Sequence, residues 1–349
     1  MINETKLMFD LGILKHFINS SLGLSYEKHS ITGFELIVPL TEASAYNSYV
    51  ENVSNKTQTL YLRIKESLIS MMKHSYLEYI KRISEKFELH KKSVILAFDY
   101  TEEDFYGNVQ GLDIHGWTKE DAVTGHFKFL TCSLISDEIP QKIPLISTPI
   151  RIGHYKSHEI LYCLSLIKNY IGEIELILFD KEFLNNELMY DLSKAKYPYL
   201  IFVPRRDEYK RFFEELDEGL TLFVHNYKMN RDKTNFHGET YLAFLKQIYD
   251  KRLDKNLDWI FSTNIEKIVL EEIIKTYKKR WRIETQFRVQ DEARIRCKSK
   301  EMKIRYFLFL FEQMLQTIWI CFYKDECSFK EFLIAIAKMS RKWTKTKEA

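Results

Sequence analysis

Residues 174–183 read IELILFDKEF. A short apolar run that stops at an acid reads as a buried strand delivering a carboxylate to its C-terminal edge. The flanks agree. "SHEILYCLSLIKNYI" (157–171) before it and "NNELMYDLSKAK" (185–196) after it are helical, and "YLIFVPRR" (199–206) is a further apolar strand. Farther upstream "SVILAFDYT" (93–101) repeats the pattern of an apolar run ending in Phe-Asp, and "HFKFLTCSLIS" (126–136) alternates and then becomes apolar, as a strand does. This strand–helix–strand rhythm predicts an α/β core.

Residues 207–258 break the rhythm with a charged segment, a strand-like "LTLFVHNYKM" (220–229), a polar loop at 230–239 and "TYLAFLKQIY". They read as an insertion, after which "WIFSTNI" (259–265) returns to the core as a strand. A long helix follows, then an apolar helix near 303–323. Residues 1–88 are mostly helical, with an apolar period at Leu60, Ile64, Leu68, Met72, Tyr76, Ile80, Ile83 and Phe87. The expected division is therefore a helical module at 1–88, a core at 89–206 and 259–325, an insertion at 207–258 and a basic C-terminal tail at 326–349. The helical module is either a DNA-binding unit or a packing layer.

The chain has 349 residues, 45% of them apolar, with only 11 Gly and 6 Pro, which suits a globular protein without long linkers. Five cysteines without C-x-x-C spacing suggest neither a disulfide framework nor a zinc site, and fit a reducing cytoplasm. His154 and His158 stand four apart but lack a third ligand nearby. No signal-peptide pattern opens the chain, and Glu312, Gln313 and Gln316 interrupt its most apolar stretch, 307–323. That stretch reads as a buried helix rather than a membrane span.

The net charge is only +3, yet from Lys275 to Arg305 twelve Lys and Arg face four acids, a local excess of eight. The positive field is concentrated there, as a DNA-binding surface requires. Within this run, "YKKRWRIETQFRVQDEARIR" (277–296), Glu284 shares one helical face with Tyr277, Arg280, Arg288 and Asp291. A solvated basic helix with an internal acid partner is the plain alternative. Asp99 and Asp180, each closing an apolar strand, supply two further carboxylates. Three acids held together call for cations, and hard oxygen donors suit Mg²⁺, with Mn²⁺ as a substitute. Two such ions activate a nucleophile and stabilise the leaving oxygen of a phosphodiester. Asp104, Asp113 and Asp191 read as solvent or cap residues. Trp117, Trp281 and Phe287 are candidates for stacking on an unpaired base or for core packing.

These residues resemble a family. "LAFDYTEEDFYG", "DKEF" after the second strand, and Tyr277, Arg280 and Glu284 at the spacing of a Tyr/Arg/Glu signature helix resemble DDE transposases of prokaryotic insertion sequences, which have a ribonuclease-H-like catalytic core. The resemblance runs from about 93 to 323. Two departures stand out: "DKEF" replaces Asp-Arg-Gly-Phe, and Asp291 occupies a position that holds Lys in the family, with Lys298 as a substitute. The resemblance implies a mixed sheet flanked by helices, with Asp99, Asp180 and Glu284 holding two Mg²⁺. It implies that Tyr277, Arg280, Arg288 and Lys298 contact DNA. It also implies double-stranded element ends and target as partners, at least a dimer on DNA, no membrane, and a cytoplasmic, nucleoid-associated protein. The rival readings are a non-catalytic DNA-binding descendant and another two-metal nuclease of the same fold.

Overall fold

Alternation along strand β1 (Val94–Phe105) sorts the molecule into two layers. Val94, Leu96 and Phe98 enter the largest apolar cluster, while Ile95 and Ala97 point the other way, into a second cluster with Leu176 and Leu178 of β4 (Ile174–Phe179). The computed structural model describes residues 2–24, 32–116, 122–136, 142–217, 219–228, 239–251 and 254–348. The remaining strands are β2 (Gly125–Leu134), β3 (Ile143–Ile150), β5 (Tyr199–Phe202), β6 (Thr221–Lys228), β7 (Glu239–Asp250) and β8 (Lys255–Thr263). All eight form one mixed sheet in the order β3-β2-β1-β4-β5-β8-β7-β6. The pairs β1–β4 and β4–β5 are parallel and the others antiparallel.

Strand β3 carries Pro144 and Pro149. It lies at the sheet edge, where a missing amide donor is tolerated. Strand β1 does not end just after Asp99. Its parallel pairing with β4 stops at Phe98, but its antiparallel ladder with β2 continues to Phe105 opposite Gly125. The C-terminal segment is not a loose basic tail: α11 (Phe329–Glu348) buries Phe329, Phe332, Leu333, Ile336 and Ala337. Within 207–258, β6 and β7 extend the core sheet through β8. The polar loop expected at 230–239 lies almost wholly outside the described residues.

The face carrying Phe98 is covered by α1 (Glu4–Leu22), α2 (Gly33–Ala45), α3 (Thr57–Glu66), α4 (Ile69–Phe87), α5 (Lys156–Ile167), α6 (Asn186–Lys194), α10 (Met302–Phe322) and α11, all within one continuous apolar cluster. The helices of residues 1–88 therefore bury their apolar stripes in the same core as the sheet. A short helix, α7 (Lys210–Glu214), packs on β7. Helix α10 is apolar nearly all round, and its polar residues have partners: Glu312 accepts from the Ile295 amide at 2.7 Å and Gln313 accepts from Ser147 at 2.8 Å. Gln316 donates to the Gln286 carbonyl at 2.6 Å. Among the described residues no helix is long and apolar enough to cross a membrane.

The opposite face, carrying Ala97, is covered by α8 (Leu270–Lys278) and α9 (Trp281–Gln290) through Ile273, Ile274, Tyr277 and Ile283. The single long helix expected here is two. At Lys279 and Arg280 the amides bond three residues back, to Thr276 and Tyr277, so the ladder tightens where the helices meet. The Tyr277 ring is drawn into the apolar cluster at 4.9 Å from Phe261, and the Arg280 side chain turns to the sheet.

Candidate active site

The pleat brings the two aspartates together. Side chains alternate along a strand, so Asp99 follows Ile95 and Ala97 onto the face under α8 and α9, and Asp180 follows Leu176 and Leu178 onto the same face. The register pairs Phe98 with Phe179, so the next residues, Asp99 and Asp180, stand on adjacent strands. Asp180 also starts a 3₁₀ turn, Lys181–Phe183, whose Phe183 ring stacks on Tyr100 at 4.6 Å. Aromatic packing thus fixes the backbone beside each acid from the opposite face.

Glu284 reaches this pair from α9 through a cation. Arg280 donates from Nη1 to Asp99 Oδ2 at 2.9 Å and from Nη2 to Glu284 Oε1 at 2.5 Å. Its side chain is only 6% exposed and that of Asp99 16%, whereas Glu284 is 44% exposed and opens to solvent. Burial raises the Asp99 carboxyl to about 6, against the pull of Arg280, and the nearby charges of Asp180 and Glu284 push it the same way. For Arg280, burial disfavours the cation, but Tyr277, Asp99, Asp180 and Glu284 together hold it firmly protonated. All three acids and Arg280 thus lie within mutual electrostatic reach.

Tyr277 and Arg280, expected at DNA phosphates, are both buried in this conformation, at 2% and 5% exposure. The Tyr277 ring is packed by Phe202, Trp259 and Phe261, and the Arg280 guanidinium is taken by carboxylates. Arg288, one turn beyond Glu284, is exposed. So is Lys298, whose ammonium sits 4.7 Å from the centre of the Tyr49 ring. Trp281 and Phe287 pack against the apolar cluster under α9, and Trp117 lies outside the described residues. Asp113 pairs with Arg151 at 2.6 Å, and Asp104 accepts from the Tyr106 hydroxyl at 3.3 Å. Asp291, in the family's Lys position, is the C-cap of α9, and Asn47 holds its carbonyl.

Three carboxylates on one face are the donor set of a hard divalent cation. Among the described residues no three His, Cys, Asp or Glu side chains stand close enough together to hold an ion in this conformation. The guanidinium of Arg280 supplies the positive charge between Asp99 and Glu284 instead. The carboxylates are of the type that binds a hard cation, and in this conformation Arg280 stands between two of them. Nothing local in the sequence signals the pairing of Arg280 with Asp99, 181 residues away.

Residues 150–311 match the family model of the transposase DDE domain. The fold is similar to that of a piggyBac transposase solved by cryo-electron microscopy as a synaptic complex with hairpin DNA. The TM-score is 0.57 at 11% identity, covering 98% of this chain and 81% of that one. The eight-stranded mixed sheet flanked by helices is consistent with a ribonuclease-H-like fold. No curated protein matches the chain.

Proposed function

We propose that the chain is a DNA transposase that cuts a phosphodiester at each end of a mobile element and joins the freed 3′ hydroxyl to target DNA. The observation that carries this reading is the placement of Asp99 and Asp180 on adjacent parallel strands, facing Glu284 across Arg280. In cleavage a bond forms between a water oxygen and phosphorus as the bond to the 3′ oxygen breaks. In joining, the 3′ oxygen takes the place of water. Asp99, Asp180 and Glu284 would hold hard divalent cations, Mg²⁺ or Mn²⁺, which would supply activation of the attacking oxygen and stabilisation of the leaving one.

The protein's own residues set up this chemistry. The sheet fixes Asp99, whose backbone pairs with Thr131 of β2, and Asp180 directly follows Phe179, the last paired residue of β4. Glu284 lies on a helix surface open to solvent, where DNA has access. Arg280 neutralises Asp99 and Glu284 in the DNA-free chain and yields when cations and DNA arrive. Arg288 extends the positive surface one turn beyond Glu284. Cutting two ends and joining them calls for at least two copies on DNA.

The test uses a plasmid carrying the gene with its flanking DNA. Purified protein with Mg²⁺ or Mn²⁺ should nick at fixed positions beside the gene, and a pre-cut end with a free 3′ hydroxyl should give joined product. Glu284→Gln removes one ligand and one negative charge while keeping shape, so it should abolish cutting and retain DNA binding. A Glu284→Gln protein that cuts at the parent rate would remove Glu284 from the site. Nicks without joined product would make the protein a nuclease instead.

A further inference from the structure

A groove of about 1300 Å³ opens at the far end of α9, walled by the β1–β2 connection on one side and by residues 294–300 on the other. The stretch RIRCKSK (294–300) places a cation at every second residue. Ile295 is buried and Cys297 and Ser299 are half-buried, while Arg296, Lys298 and Lys300 are exposed. The segment is extended, pairing through Arg296 with Tyr49 in a parallel bridge. Its backbone is pinned from several directions. Ser44 donates to the Ala293 carbonyl at 2.7 Å, and Glu312 accepts from the Ile295 amide at 2.7 Å. Arg305 donates to the carbonyls of Ser299 at 2.8 Å and Cys297 at 3.0 Å. A segment held this firmly presents its three cations in fixed order.

Two other cations, Arg294 and Arg305, lie among the acids of the groove. Glu103 pairs with buried Arg305 at 3.2 Å, and Arg294 lies within electrostatic reach of Glu103 and Asp291. Among the described residues Arg296, Lys298 and Lys300 have no carboxylate partner, and Lys298 rests on the Tyr49 ring. Tyr106, 66% exposed, faces the groove from the other wall. Alternate residues of an extended chain stand roughly 6.6 Å apart, so the three cations span about 13 Å. A duplex strand presents a phosphate about every 3.4 Å along the axis, so about four phosphates fall within that span.

We propose that this groove is a second DNA track, in which Arg296, Lys298 and Lys300 hold the phosphate backbone of duplex DNA away from the bond being cut. The register rests on the function proposed above. Asp99 and Asp104 lie on the same strand, five residues or roughly 17 Å apart. At about 3.4 Å per base pair this places the track about five base pairs from the scissile bond. The path between them follows α9, past exposed Arg288.

The experiment measures binding of a fluorescein-labelled, mixed-sequence 30-bp duplex by anisotropy across a salt series. The variant is Arg296→Gln/Lys298→Gln/Lys300→Gln. Its control is Lys81→Gln/Lys91→Gln/Lys168→Gln, three exposed lysines toward the opposite end of β1. Both variants should unfold at the parent temperature. The groove variant should lose about 2.7 from the slope of log affinity against log salt, roughly 0.9 per phosphate contact, and the control should keep the parent slope. Equal slopes for parent and groove variant would overturn the track while leaving the transposase reading intact. A parent that binds through the groove but cuts no DNA would overturn the reading of the acids and leave the track. A parent that does not bind the duplex would overturn both. With a substrate the parent cuts, single methylphosphonates about five positions from the cut should weaken the parent and leave the groove variant unaffected. Interference elsewhere alone would overturn the register.

Discussion

At the scale of single residues, the central contact is Arg280 between Asp99 and Glu284. Removing one partner of a buried ion pair costs about 3–5 kcal/mol, because the remaining charge is left without compensation. Here the cost falls on buried Asp99 more than on half-exposed Glu284, so Arg280→Ala should lose about 3 kcal/mol of stability in denaturant unfolding. The same variant frees the carboxylates for a metal. Millimolar Mn²⁺ should therefore raise its thermal midpoint by more than it raises the parent's, through preferential binding to the folded state. Equal shifts in the two proteins would mean that Arg280 does not occupy the metal's place. The acids were legible in the sequence because each closes an apolar strand or sits alone in a basic run. The pairing of Arg280 with Asp99 was not, because it depends on how α9 docks on a strand far away in the chain.

At the scale of elements, legibility followed local pattern. Strands β4 and β5 were readable because a buried parallel strand is a near-continuous apolar run. Strand β3 carries two prolines, which its edge position tolerates. Helix α11 was hidden by the charges of its last turns, although Phe329, Phe332, Leu333, Ile336 and Ala337 keep a helical period. It packs on α2, where the Ser340 and Thr41 hydroxyls meet at 2.9 Å in a buried contact. Phe332→Ala should consequently cost about 3–5 kcal/mol. Lys338→Ala, on the exposed side of the same helix, should stay within about 0.5 kcal/mol. Two equally small effects, measured by denaturant unfolding, would return this segment to a tail.

At the scale of the whole molecule, the sheet divides labour between its faces. One face is a large apolar core into which residues 1–88, α10 and α11 are packed together. The other carries the acids under α8 and α9. Helix α10 connects the two, since its Gln316 holds the α9 backbone and its Glu312 holds the strip beyond α9. Tyr323, at the end of α10, donates to buried Asp10 of α1 at 2.5 Å, tying the N-terminal helices to the same support. The exposed cations of this region, Arg288, Arg296, Lys298 and Lys300 among them, therefore lie on a surface braced from behind. The concentration of charge was legible in the sequence; the tie to the N-terminal helices was not, because Tyr323 and Asp10 stand 313 residues apart. The central claim is that Asp99, Asp180 and Glu284 together hold catalytic metal. Its most direct test is anomalous scattering from Mn²⁺ in crystals of the protein bound to an element end. Manganese peaks should lie in bonding contact with all three carboxylates, with Arg280 withdrawn from Asp99. Peaks bound elsewhere, or an undisturbed Asp99–Arg280–Glu284 bridge in the DNA complex, would contradict it.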